Sequence, residues 1–216
     1  MLNIKRFECN PFQENCYVVS DKTKEAVIID CGAFYPEERE TLVRYIHNQQ
    51  LTPVRLLATH GHVDHNFGND TVLDSFGLHP EVSGADKWLM DRLREQAMAF
   101  CGITLESSCF PAVNHYLHAG EKIMFGHHTF TLIPTPGHTP GSMFFYCKEE
   151  GVAFSGDTLF RMGIGRTDFE KGSYEDIVQS LQHIRQALPM NTKIYPGHGP
   201  QTVLGDEVKM NPYLKQ

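Results

Sequence analysis

Apolar residues fall into short blocks along the chain, separated by amphipathic stretches, and the two textures alternate from end to end. Met1–Phe7, Asn15–Val19 and Ala26–Ile29 read as three strands, the last two split by the polar turn Asp21–Lys24. Pro36 starts a helix with acidic residues in its first turn; Leu42, Val43 and Ile46 share one face, and Gln49–Gln50 and Thr52–Pro53 end it. The strand Val54–Ala58 follows, then a histidine-rich loop and a short helix around Thr71–Phe76. A longer helix is predicted over Ala85–Phe100, where Leu89, Leu93, Ala97 and Phe100 keep helical spacing. Cys101–His118 has no clear period; such a stretch is either a pocket wall or an ordinary surface loop. Beyond it, strands are predicted at Lys122–Phe125, Thr129–Ile133, Met143–Cys147 and Val152–Ser155. A helix then runs from Ser173 to about Leu188 with Ile177, Leu181, Ile184 and Leu188 on one face, and a last strand covers Lys193–Tyr195. Strands alternating with helices in both halves imply an α/β chain whose sheets are covered by helices.

Length and composition narrow the class. The chain has 216 residues, 41% of them hydrophobic, with no linker or low-complexity segment, so one domain over 1–216 is expected. Net charge is -7 and no Lys/Arg run occurs, which argues against nucleic acid as a partner. The apolar runs are too short to cross a membrane. No signal-peptide core precedes the first strand, so a cytoplasmic location is expected. The six cysteines form no CxxC pair and read as reduced, mostly buried thiols. Oligomeric state is left open.

The chemistry is concentrated at strand ends. Val54–Ala58 runs straight into Thr59-His60-Gly61-His62-Val63-Asp64-His65. Three imidazoles and a carboxylate so close together are hard to explain by stability, because each polar group near a core needs a partner. They are the donors that zinc, iron and manganese accept. Three further loops repeat the design: Pro136-Gly137-His138-Thr139-Pro140-Gly141, Phe154-Ser155-Gly156-Asp157-Thr158 and Tyr195-Pro196-Gly197-His198-Gly199. The set His60, His62, Asp64, His65, His138, Asp157 and His198 exceeds one tetrahedral ion and suits two ions sharing a carboxylate.

This set, in this order, resembles the signature of the metallo-β-lactamase superfamily. Gly156–Phe160, Gly163–Arg166, Pro136–Gly141 and Pro196–Gly199 are similar to its glyoxalase II branch, over essentially the whole chain. The resemblance implies a four-layer αβ/βα sandwich, two mixed sheets flanked by helices, with the site at one sheet edge. It assigns His60, His62 and His138 to one ion and Asp64, His65 and His198 to a second, with Asp157 bridging. Asp30, at the end of Val27–Ile29, matches an aspartate that buttresses the histidine-rich loop.

The implied reaction is thioester hydrolysis, for example of S-lactoylglutathione, by a hydroxide shared between two divalent ions, zinc first, iron or manganese otherwise. Asp64 would orient that hydroxide, and Asp157 would join the ions. Arg166 is a candidate to bind an acidic group of the substrate, or else a surface salt-bridge residue. Two features depart from the full-length branch. About 18 residues follow His198, too few for a C-terminal glutathione-binding domain, and Asp168 stands where the branch has a tyrosine. The chain therefore looks most like the short glyoxalase II-like proteins of bacteria. Persulfide dioxygenases carry a stretch similar to Gly163–Phe169 and use one iron held by two His and one Asp; here these would be His60, His138 and Asp157.

Overall fold

The computed structural model describes residues 1–215 as two six-stranded sheets packed face to face with helices on their outer sides. The first sheet holds β1 (Asn3–Cys9), β2 (Glu14–Ser20), β3 (Glu25–Ile29), β4 (Thr52–Leu57), β5 (Pro80–Ser83) and β6 (His115–Leu117), side by side in that order. β1, β2 and β3 pair antiparallel, and β3 to β6 run parallel. The second sheet contains β7 (Lys122–Phe125), β8 (His128–Pro134), β9 (Met143–Cys147) and β10 (Val152–Gly156). A small hairpin, β11 (Leu159–Phe160) and β12 (Gly163–Ile164), separates these from β13 (Lys193–Pro196) and β14 (Thr202–Val203). The spatial order is β14-β13-β10-β9-β8-β7, with only β10 and β13 parallel.

Strand alternation explains the four layers. On β2 and β3, Tyr17, Val19, Val27 and Ile29 point between the sheets and meet Phe130, Leu132, Phe145 and Phe154. Their neighbours Val18, Ala26 and Ile28 face outward onto Leu42 and Ile46 of α1 (Pro36–Asn48) and Val72 of α2 (Asn69–Phe76). In the second half, Phe144, Ala153 and Ile194 meet Leu181 and Ile184 of the later helix Tyr174–Ala187. Strands buried on both faces read as continuous apolar runs, which is why the sequence pattern locates them.

Several elements differ from the sequence expectation. The helix expected over Ala85–Phe100 is broken: a 3-10 turn at Gly84–Asp86 leads into α3 (Lys87–Met90), and α4 (Leu93–Cys101) starts afresh. The break lets Asp86 turn inward while Leu93 and Ala97 pack on Ala58, Val63 and Phe67. The stretch 101–118 contains a 3-10 turn and β6, an edge strand. Its Ile103, Leu105, Phe110 and Tyr116 pad the same cluster, so it acts as outer packing. After α5 (Tyr174–Ala187) and β13, the chain adds β14 and α6 (Leu204–Met210), which the pattern did not signal. All six cysteines are free thiols. No helix among the described residues is long and apolar enough to cross a membrane.

The inter-sheet layer carries the fold. Phe130 is fully buried there, so Phe130→Ala should lower unfolding free energy by about 3–5 kcal/mol, read as a reduced midpoint in urea denaturation.

Candidate metal centre

Four loops bring the ligand-type residues to one edge of the sandwich. His60, His62, Asp64 and His65 follow β4, the last two on a 3-10 turn at Val63–His65. His138 lies after β8, Asp157 directly after β10 and His198 directly after β13. β4 belongs to one sheet and the other three strands to the second, so the cluster straddles the seam. An isolated antiparallel bridge between Glu14 and His198 joins the sheets at this point.

All seven sequence-predicted donors meet there. The donor atoms of His60, His62 and His138 lie within 4.8 Å of one another, as do those of Asp64, His65 and His198. Asp157 stands between the two groups. Its Oδ1 is 3.4 Å from His65 Nε2, and its Oδ2 is 3.6 Å from His138 Nε2 and 3.5 Å from His198 Nε2. Asp64 Oδ2 is 3.3 Å from His198 Nε2.

The rear nitrogens of three rings are hydrogen-bonded, and that of His65 faces a carboxylate. His60 Nδ1 is 3.1 Å from Thr59 Oγ1, and His65 Nδ1 is 3.1 Å from Asp30 Oδ2. His138 Nδ1 lies 2.7 Å from the Arg166 carbonyl, and His198 Nδ1 lies 3.0 Å from the Phe12 carbonyl. Each tether fixes the ring plane and turns Nε2 toward the cluster. His62 presents Nδ1 instead, 2.8 Å from His138 Nε2. His60 Nε2, both ring nitrogens of His65 and Asp157 Oδ1 are buried without a hydrogen-bond partner. Orphaned buried donors and acceptors are costly, and cations coordinated by His60 Nε2, His65 Nε2 and Asp157 Oδ1 would satisfy those atoms. The residues present therefore fit a pair of divalent ions.

The electrostatics agree. Burial, reinforced by the His138 ring, pushes the His62 pKa down to about 3. Burial and the neighbouring rings likewise hold His60 well below the usual imidazole range. For Asp157, burial acts the other way, but the rings of His198, His65 and His138 outweigh it and keep the carboxylate ionised. Burial also opposes a charge on His65, yet Asp64, Asp157 and Asp30 raise its pKa. The cluster thus presents neutral imidazoles at His60 and His62 beside ionised Asp64 and Asp157, with proton affinity concentrated on His65 and raised at His198 as well.

Supporting residues set the geometry. Asp30, expected to buttress the histidine-rich loop, accepts from Thr59 N at 2.7 Å and Thr59 Oγ1 at 2.8 Å, besides facing His65. It holds φ 53°, a left-handed conformation that disfavours most side chains. Asp86 was not signalled by the sequence. It accepts from Gly61 N at 2.9 Å, Thr139 Oγ1 at 2.7 Å and Gly141 N at 2.8 Å, riveting the loop of His60 and His62 to that of His138. Asn15, also unsignalled, donates to the Pro196 and Gly199 carbonyls at 2.9 and 2.8 Å and so brackets His198. Gly197 must be glycine: a Cβ there would lie 2.3 Å from Asp157 Oδ1 and 2.7 Å from a His65 ring carbon.

Above the cluster opens a cavity of about 420 Å³, walled by Phe12, Phe100, Phe160, Ile164 and Phe169, with Asp64, Asp157 and His198 on its floor. Phe169 stands edge-on to His62 at 5.1 Å. Arg166 sits at the mouth, its guanidinium 4.1 Å from the Phe169 ring centre and doubly bonded to Asp168 at 2.7 Å. Its carbonyl, the partner of His138, reaches inward.

Comparison with known proteins agrees with this geometry. The family described as the metallo-beta-lactamase superfamily matches residues 9–202. Hydroxyacylglutathione hydrolase GloC of Haemophilus influenzae is 38% identical over 99% of this chain and 98% of its own length. Among solved structures, the B3 metallo-beta-lactamase BLEG-1 is similar at TM-score 0.89 and 34% identity, covering 99% of this chain and 100% of that one. TTHA1623, in a di-iron-bound form, is similar at TM-score 0.85 and 32% identity, covering 97% of this chain and 100% of that one. A divalent-metal-binding fold, its histidine cluster and this full-length match together place the chain in the metallo-beta-lactamase superfamily.

Proposed function

We propose that the protein is a metal-dependent thioester hydrolase of the glyoxalase II type, acting in the cytoplasm on hydroxyacyl thioesters such as S-lactoylglutathione. The observation that carries this reading is the pair of donor groups sharing Asp157 on the floor of one cavity. The full-length similarity to a hydroxyacylglutathione hydrolase supports it. His60, His62 and His138 would hold one ion, and Asp64, His65 and His198 a second, with Asp157 between. Imidazole and carboxylate donors suit zinc, iron and manganese; zinc is the first candidate. Divalent ions held there supply water acidified to about pKa 7 and an electrophile for a carbonyl oxygen.

The chain's own residues do the rest. Asp64, on the cavity floor and 18% exposed, is placed to accept a hydrogen bond from the attacking water and orient it toward the acyl carbon. The aromatic walls exclude bulk water, which strengthens each charge interaction inside. A thiolate leaves without protonation, so the reaction needs no separate general acid. Arg166 would bind an acidic carrier by exchanging Asp168 for a substrate carboxylate.

Purified protein should contain two divalent ions per chain and hydrolyse a lactoyl thioester. His62→Ala and Asp157→Ala should drop to background with unchanged circular dichroism, and full activity in either would refute the dinuclear reading. One iron per chain with oxygen uptake on a glutathione persulfide would instead support the dioxygenase. Asp86→Ala should weaken metal binding by about 10–100-fold while keeping its ligands, measured by competition with a chelating dye. Metal affinity should rise with pH. His65 and His198 have raised pKa values, so below them each proton must be displaced before a cation binds, and dissociation constants should fall as pH climbs above 6.5.

A further inference from the structure

Beside the metal cavity lies a second, smaller pocket of about 150 Å³. Trp88 and Leu89 of α3, Ala99 and Phe100 of α4, and Phe169 form its apolar walls. The two cavities share His62, Phe100 and Phe169, so the smaller one opens directly at a candidate ligand. Phe100 is 45% exposed, although its ring lies edge-on to Phe169 with centres 5.5 Å apart. Apolar walls converging on a reactive centre mark a binding site for apolar substrate groups.

Size and charge narrow the occupant. The smaller pocket has room for one aromatic ring or branched alkyl group and none for a tripeptide thiol; the 420 Å³ cavity is left for the thiol arm. The rim carries Glu95 and Glu170, and its one guanidinium, on Arg92, is already held by Glu170 at 3.1 Å. The Lys171 ammonium lies outside this lining, over the Trp88 ring at 4.1 Å, so an acidic acyl group entering the pocket would meet the two rim carboxylates, whereas a neutral apolar one packs on the hydrocarbon walls.

We infer that this pocket is the acyl subsite, and that the substrates are thioesters whose acyl arm ends in an aromatic or branched-alkyl group. The inference rests on the proposed thioester hydrolysis and deepens it. Binding follows from burial of the apolar arm against Trp88, Ala99 and Phe169. The unsubstituted lactoyl group leaves the pocket empty and forgoes that burial.

Two measurements on metal-loaded protein test it. The first is kcat/KM for lactoyl and 3-phenyllactoyl thioesters of one carrier, N-acetylcysteamine, which differ only by the ring. The phenyl compound should be preferred by about tenfold or more. Ala99→Phe, which fills the pocket, should bring the ratio of the two kcat/KM values to about one. Equal rates for the two substrates, or equal loss on both in the variant, overturn the inference. The second readout is independent of turnover. Trp88 is the chain's single tryptophan. 3-Phenyllactate should therefore change its fluorescence saturably in the natural protein and not in Ala99→Phe, with lactate giving no change in either. Saturation without any thioester hydrolysis would leave the apolar subsite standing and remove the hydrolase reading. Hydrolysis without ring preference or fluorescence response would do the reverse.

Discussion

The structure depends on keeping a dense cluster of imidazoles and carboxylates buried at the seam between two sheets. Removing such groups from water costs several kcal/mol each unless every polar atom finds a partner. The fold meets that demand in two directions. Rear nitrogens are hydrogen-bonded to Thr59 and two backbone carbonyls, with the Asp30 carboxylate behind His65, while the forward atoms converge and partly lack protein partners. A site satisfied behind and open in front is preorganised for cations. The same tethers hold the ring planes, so the convergence is imposed by the scaffold, and His62 and His138 meet ring to ring, at 2.8 Å.

That imposition passes through a few cross-links. Asp86 joins two ligand loops, Asn15 brackets a third, and Asp30 links the end of β3 to the start of the histidine-rich loop. Each spans the gap between strand ends that the sheets have already brought close. Tyr17 adds a bond from its hydroxyl to the Pro196 carbonyl at 2.8 Å, running from the first sheet to the second. Metal geometry and inter-sheet packing are therefore coupled: loosening the apolar layer around Phe154 and Tyr17 would move β13 and His198 against His65.

The legible parts of the sequence share a physical cause. Strands buried on both faces leave unbroken apolar runs, and ligands placed directly after a strand leave Gly, Pro and His together, as in Tyr195–Gly199. The four loops and most strands could be read for that reason, while the sandwich was implied by the family resemblance. Asp86 could not, because an acid at a helix entry looks the same whether it caps a turn or accepts three bonds from residues 25 to 55 positions away. Asn15 hides within a strand, and its partners lie more than 180 residues away. The break between α3 and α4 was invisible because leucine and alanine spacing continues across it. β6 and β14 are only three and two residues long, too short for any period to register.

Floor and mouth obey different rules. The floor is built from strand-end loops locked by buried hydrogen bonds, so a change there disturbs several donors together. The mouth is built from side chains on separate elements, such as Phe12 ahead of β2, Phe100 on α4 and Phe160 on β11, with Phe12 40% exposed. Those can vary without moving a ligand. Similar chains accordingly carry different descriptions, a hydroxyacylglutathione hydrolase at 38% identity and a B3 metallo-beta-lactamase at 34%. In this chain both guanidiniums near the opening, Arg92 and Arg166, are held by carboxylates of their own protein. An anionic group arriving there would have to displace Glu170 or Asp168 from its guanidinium, whereas an apolar group would pack on the aromatic walls without breaking an ion pair.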